Sequence, residues 1–231
     1  MRTLGLIGGT TWLSTVEYYR IINQEVNRRL GKANTARILL YSVNHEEFLP
    51  PSDEEGWISV RERLIEIAGK LEAAGAESLL LCANTMHKVA GEVSANIGIP
   101  LIHIAEVSAA AIRKAGVKKV GLLGTKVTME GDFFKQELLK QSIETVIPGD
   151  RDREFINNSI FKEFGKGIFS QETKQGYLEI IDRLVAAGAE GIILGCTEIP
   201  LLIKPGDFTA PTFDTTLLHA TAAVDFALEG S

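Results

Sequence analysis

Leu71–Thr85 reads LEAAGAESLLLCANT, and Leu184–Glu198 reads LVAAGAEGIILGCTE. The segments align without a gap at an offset of 113 residues, sharing the opening Leu, the AAGAE block and a later Leu. Each reads as a helix end, a Gly turn, a buried strand and a polar strand end. Taken singly, AAGAE is ordinary punctuation: small residues close a helix and Gly makes the turn into the strand. Its recurrence, each time followed by polar residues at the strand end, points to an internal repeat. A second match supports this. GLIGGTTWLSTVEYY from Gly5 resembles GLLGTKVTMEGDFF from Gly121, with Tyr18-Tyr19 opposite Phe133-Phe134 if one residue is gapped.

Outward from the repeat, short apolar runs alternate with longer helical patterns. Strands are expected at Thr3–Ile7, Ile38–Ser42, Ser78–Cys82, Leu101–Ile104, Lys119–Leu123, Glu144–Ile147, Gly191–Leu194 and Thr212–Phe213. The runs lack alternation, as parallel strands covered on both faces do. Ser14-x-x-Glu17 and Ser59-x-x-Glu62 read as capping boxes at helix starts. The order predicts an α/β fold of two pseudo-symmetric lobes, each a mostly parallel sheet flanked by helices. Residues 1–106 with 207–231 are expected to form the first lobe, and 107–206 the second. Ligands of open α/β sheets sit beyond the carboxyl ends of strands. Two facing lobes would then gather Thr10, Asn84, Thr125 and Cys196 around one crevice.

Bulk properties narrow the partners. The chain has 231 residues, 45% hydrophobic and 23% charged, with net charge −6 and no long Lys/Arg cluster. Nucleic acid is therefore not an expected partner. The longest apolar runs are too short to span a bilayer, and the opening MRTLGLIGG is not a signal peptide, so no membrane association is expected. Two cysteines cannot form a disulfide framework, and a reducing cytoplasm suits them. The four histidines are scattered at 45, 87, 103 and 219, so no metal site is expected.

Three strand ends carry candidate chemistry. In Leu194-Gly-Cys-Thr-Glu-Ile-Pro200 a thiol stands at a strand-to-helix junction, where backbone N–H groups favour the thiolate. The plainer reading is that Cys196 is a small buried hydrophobe. In Leu81-Cys-Ala-Asn-Thr-Met-His87, Asn84 and Thr85 offer an amide and a hydroxyl suited to a carboxylate, or simply cap a helix. His87 reads as a packed or solvent-facing residue. Gly5-Leu-Ile-Gly-Gly9-Thr10 lacks the G-x-G-x-x-G spacing, so close backbone approach to a small anion at Gly9 and Thr10 is expected instead. Glu17, Tyr18 and Tyr19 are assigned to capping and packing.

IGGTTWLSTVEYY, LCANTMH, GLLGTKVTM, LGCTEIP and the late FDTT together resemble the aspartate/glutamate racemase family across essentially the whole chain. The resemblance implies a cofactor-independent enzyme that interconverts enantiomers of aspartate or glutamate, often as a homodimer. It also implies two cysteines working from opposite faces of the substrate α-carbon. On this resemblance Cys196 is the second-lobe catalytic cysteine. Gly9, Thr10, Ala83, Asn84, Thr85, Thr125, Thr197 and Glu198 fall at substrate-binding positions.

The sequence departs from that pattern at one place. The family's first cysteine stands immediately before Asn-Thr, and here that residue is Ala83. The repeat agrees, since an offset of 113 maps Cys196 onto Ala83 and Gly195 onto Cys82. Adjacent side chains of an extended segment face opposite ways, so Cys82 is expected in the core and Ala83 facing the cleft. Three outcomes follow: a racemase completed by Cys82 or by a water held by Thr10 or Asn84, one-sided chemistry as in single-cysteine decarboxylases, or binding without turnover. Lys126, Lys162 and Lys166 are candidate clamps for a distal carboxylate, and His45–Trp57 is expected as a mobile covering loop.

Overall fold

Leu71 and Leu184, the first residues of the two repeat copies, pack on equivalent glycines. A Cβ at Gly5 would stand 3.6 Å from Leu71 Cβ, and one at Gly121 would stand 3.2 Å from Leu184 Cβ. Each helix thus lies close against the strand carrying its glycine, a contact that any larger residue would obstruct. The computed structural model describes Met1–Glu229. The chain divides into two units, Met1–His103 with the tail from His219, and Ile104–Leu218.

The first unit contains β1 (Thr3–Gly8), α1 (Trp12–Leu30), β2 (Arg37–Ser42), α2 (Glu54–Ala73), β3 (Ser78–Leu81) and the short α3 (Ala90–Ser94). Its three strands are parallel in the order β2-β1-β3. The second unit contains α4 (Ile104–Lys114), β4 (Lys119–Gly124), α5 (Lys126–Glu130), α6 (Asp132–Lys140), β5 (Glu144–Val146), α7 (Asp150–Lys162), α8 (Gln171–Ala186), β6 (Gly191–Gly195), α9 (Ile199–Leu202) and β7 (Thr212–Asp214). Its strands are parallel in the order β5-β4-β6-β7. The repeat is exact in register: Gly5 pairs with Leu79 and Gly121 with Ile192, and Leu79 and Ile192 are counterparts at the 113-residue offset. β3 and β6 are buried at every position, which is why both read as unbroken apolar runs.

The last helix, α10 (Thr215–Leu228), is divided by the unit boundary between Leu218 and His219. The expected assignment of 207–231 to the first lobe therefore needs correction. β7 hydrogen-bonds to β6, which keeps residues up to Leu218 with the second unit. Only the later residues join the first, where Ala220, Ala223, Val224 and Ala227 pack with Leu4, Leu6, Tyr18 and Ile22.

Four local expectations also change. Leu101–Ile104 is a single bridge to Leu79 rather than a strand, because Ile104 already begins α4. α1 is capped by Thr11 and α2 by Asp53, whose side chains accept from Ser14 N and Gly56 N. Both Ser-x-x-Glu motifs lie within helices. The expected covering loop is structured: His45–Phe48 forms a 3-10 turn, Glu54 opens α2 and Trp57 is buried. Among the aromatic pairs, the buried members are Tyr18 and Phe134, one place out of the expected alignment.

Candidate active site

At the end of β1 the chain turns through Gly9 with φ of 89°, a left-handed backbone that favours glycine. A Cβ there would lie 2.2 Å from the Val43 carbonyl oxygen, so side chains are excluded on packing grounds as well. Gly9 N–H donates to Thr15 Oγ1 at 2.7 Å, tying the turn to the first turn of α1. Thr10 follows, buried, and its hydroxyl has no hydrogen-bond partner among the described residues.

The end of β3 separates two neighbours. Cys82 is only 1% exposed and packs with Leu4, Leu6, Tyr18 and Leu80. Burial pushes its thiol well above the ordinary range. Ala83 is half-buried. Ser14 Oγ donates to the Cys82 carbonyl at 2.6 Å, and the Ala83 carbonyl is met by His87 Nδ1 at 2.9 Å. Asn84 and Thr85 are buried where the 3-10 turn Thr85–Val89 begins. Asn84 has helical backbone angles and makes no side-chain cap, so the simple capping role does not hold for it.

In the second unit Thr125 ends the β4 turn as the cap of α5, accepting from Thr128 N at 3.2 Å. Cys196 directly follows β6 with 8% exposure. Its Sγ donates to Glu198 Oε2 at 3.0 Å, and Thr197 Oγ1 donates to the same oxygen at 2.7 Å. Glu198 is itself 2% exposed. The thiol is held well above its usual range, first by burial and then by the neighbouring Glu198. This corrects the expectation of a resting thiolate. The backbone N–H groups of Thr197 and Glu198 do pull the other way, but α9 has only four residues and the pull is the weaker influence.

The pairing of Cys196 with Glu198 was not anticipated from the sequence, where Glu198 was placed with the substrate. Its signal was the Cys-x-Glu spacing at a strand end, which brings both side chains to one turn. Tyr177 and Ser159 were also missed. Tyr177 is buried in the core cluster of Cys196, and its hydroxyl lies 2.9 Å from Ser159 Oγ. Of the three candidate lysines, Lys126 is paired with Glu154, while Lys162 and Lys166 are exposed. Among the described residues no helix is long and apolar enough to cross a membrane.

A buried thiol hydrogen-bonded to a carboxyl group is equipped to give and take a proton. A family model described as Asp/Glu/Hydantoin racemase matches residues 7–223. The chain belongs to the Asp/Glu/Hydantoin racemase family, a family of isomerases. A solved structure of a candidate Asp/Glu racemase from Yersinia pestis is 46% identical, with a TM-score of 0.92 over 99% of this chain and 100% of that one. An aspartate racemase homologue from Pyrococcus horikoshii OT3 is 38% identical, with a TM-score of 0.85 over 98% and 99%. The broad specificity amino-acid racemase RacX of Bacillus subtilis is 26% identical over 96% of both chains.

Proposed function

We propose that this protein moves a proton at the α-carbon of an acidic amino acid, aspartate or glutamate, without a cofactor, and that Cys196 is its acid/base. The observation that carries the reading is the buried hydrogen bond from Cys196 Sγ to Glu198 Oε2. The S–H proton passes to Glu198, and the resulting thiolate takes the α-hydrogen. The carbanion is then reprotonated, either from Cys196 or by water. Gly9, Thr10, Ala83, Asn84, Thr85, Thr125 and Thr197 are assigned to substrate. Backbone N–H groups and hydroxyls at these strand ends suit a carboxylate. The acidic substrate is supported by the aspartate racemase homologue among the similar structures. We further assign the protein to the cytoplasm as a homodimer, a placement consistent with its two free thiols.

One observation favours a second reading. Ala83 has no titratable side chain, and Cys82 is locked in the core. A single thiol serves one face of a carbanion, which suits a decarboxylase or a one-sided exchange as well as a racemase. The test is α-hydrogen exchange of each enantiomer of aspartate and glutamate in heavy water. Exchange that falls by about 10³-fold in Cys196→Ser supports the proposal. Exchange unaffected by that change would sink it. Inversion accompanying exchange marks a racemase, and carbon dioxide release from a substituted malonate marks the decarboxylase.

A further inference from the structure

Behind the Ala83 strand end lies a group that the proton-transfer scheme does not use. His87 is 1% exposed, and its ring centroid lies 4.9 Å from that of His103 and 5.5 Å from that of His219. Both contacts are edge-on. His219 is fully buried; its Nε2 lies 2.7 Å from the Ile102 carbonyl, and its Nδ1 lies 2.8 Å from the Tyr18 hydroxyl. The three imidazoles come from the 3-10 turn after β3, the segment before α4, and α10. All belong to the first unit.

The carbonyl partners assign the protons. A carbonyl oxygen only accepts, so His219 carries its hydrogen on Nε2, and Tyr18 donates to the bare Nδ1. By the same argument His87 carries its hydrogen on Nδ1, where it donates to the Ala83 carbonyl. Its Nε2 is buried and has no partner at hydrogen-bond geometry among the described residues; the Ile102 carbonyl, which also acts on this ring, is taken by His219 Nε2 at 2.7 Å. Leaving a polar atom unsatisfied in the core is costly. The ring is held there by its hydrogen bond to Ala83 and by its packing on two other imidazoles.

We propose that His87 is a positioning residue, whose neutral, Nδ1-protonated imidazole sets the direction of the Ala83 carbonyl and so of the Ala83–Thr85 turn. Ser14 fixes the preceding carbonyl through its bond to Cys82. Consecutive carbonyls are thus pinned by α1 and by the His87 ring, which leaves the following amide and hydroxyl little freedom. His103 and His219 brace the ring. The role rests on the reading that this turn meets substrate, and the experiment separates the two.

The decisive comparison is His87→Asn against His87→Gln and His87→Leu. Asn can present its amide donor near the place of Nδ1, whereas Gln reaches toward Nε2 and Leu donates nothing. With aspartate exchange as the assay, Asn is expected to keep KM within about threefold of the unaltered protein. Gln and Leu are expected to raise it about tenfold with kcat little changed, as lost ground-state binding does. An unchanged KM in a folded Leu variant, or equal damage from Asn and Leu, overturns the role. A second measurement needs no substrate. Nitrogen-15 spectra of the histidine rings should show Nδ1 protonated in His87 and Nε2 protonated in His219 at neutral pH, with the Ala83 carbonyl shift altered in Leu but kept in Asn. The opposite tautomer in His87 overturns the inference even if no amino acid exchanges. Correct tautomers and an Asn-restored shift in a protein without exchange uphold it while the proton-transfer reading fails.

Discussion

The ends of β3 and β6 are copies of one structural unit that have parted company in chemistry. Both strands are buried throughout, pair identically with their central strand and follow the same AAGAE turn. At the end of β6 the chain places a thiol and a carboxyl group 3.0 Å apart. At the end of β3 the matching place holds a methyl group, with an imidazole bonded to its carbonyl. On the proposed function, the first copy has the backbone of a catalytic strand end without the proton carrier. A fold can thus preserve the geometry of a site separately from its reactivity, because hydrogen bonds to main-chain carbonyls do not depend on what side chain the residue bears.

The largest expected effect comes from making the second strand end resemble the first. Glu198→Gln keeps the shape but removes the base, and should lower exchange by about 10² to 10³-fold. Because Glu198 helps hold the Cys196 thiol above its usual range, the same variant should react faster with iodoacetamide at a fixed pH. A drop in both rates would mean that Glu198 is structural. Acid should expose the difference next. His219 has a pKa of about 4 against an ordinary 6.5, because burial disfavours its cation. Between those values the unfolded chain binds a proton that the folded chain refuses, so stability should decline as pH falls from 6.5 to 4 and level off below. The loss attributable to this residue is about 3 kcal/mol. Urea titrations across that range should show a flatter dependence in His219→Gln, which keeps a donor near the Ile102 carbonyl.

The matched glycines give a smaller, unequal pair of effects. A Cβ at Gly5 would meet Ala76 Cβ at 2.8 Å and a backbone oxygen, that of Ser78, at 3.0 Å. At Gly121 it would meet no backbone atom as near: the tips of Ile192 and Leu184, each 2.9 Å away, can turn aside, and Leu184 Cβ stands at 3.2 Å. Gly5→Ala should therefore cost about 2 kcal/mol and Gly121→Ala distinctly less. Equal costs in thermal unfolding would mean that the first unit yields as readily as the second. Finally, Ala83→Cys restores the missing thiol. A rise of about tenfold in racemisation is expected if the turn is still correctly aimed; no rise would show that the first strand end has lost more than its side chain.

Much of the architecture was legible because periodic apolar runs and a repeated helix-turn-strand segment are properties of contiguous sequence. Seven of the eight expected strands, their parallel pairing and the inward placement of Cys82 follow from local pattern; Leu101–Ile104, a single bridge, does not. The helix starts were misread for a physical reason: Ser14 and Ser59 carry the spacing of a capping box, yet Thr11 and Asp53 lie closer to the preceding turn and take the cap. The partners of the candidate site were hidden to different degrees. Glu198 lies two residues from Cys196, and only the turn reveals that their side chains meet. His219 lies 132 residues beyond His87, and no local pattern connects them.

The boundary inside α10 has a consequence for how the chain is made. The second unit is one uninterrupted stretch, Ile104–Leu218. The first needs Ala220, Ala223, Val224 and Ala227 to finish a core begun by Leu4 and Leu6. On the ribosome, where domains otherwise fold from the amino end as they emerge, the half that is synthesised first is therefore the half that closes last.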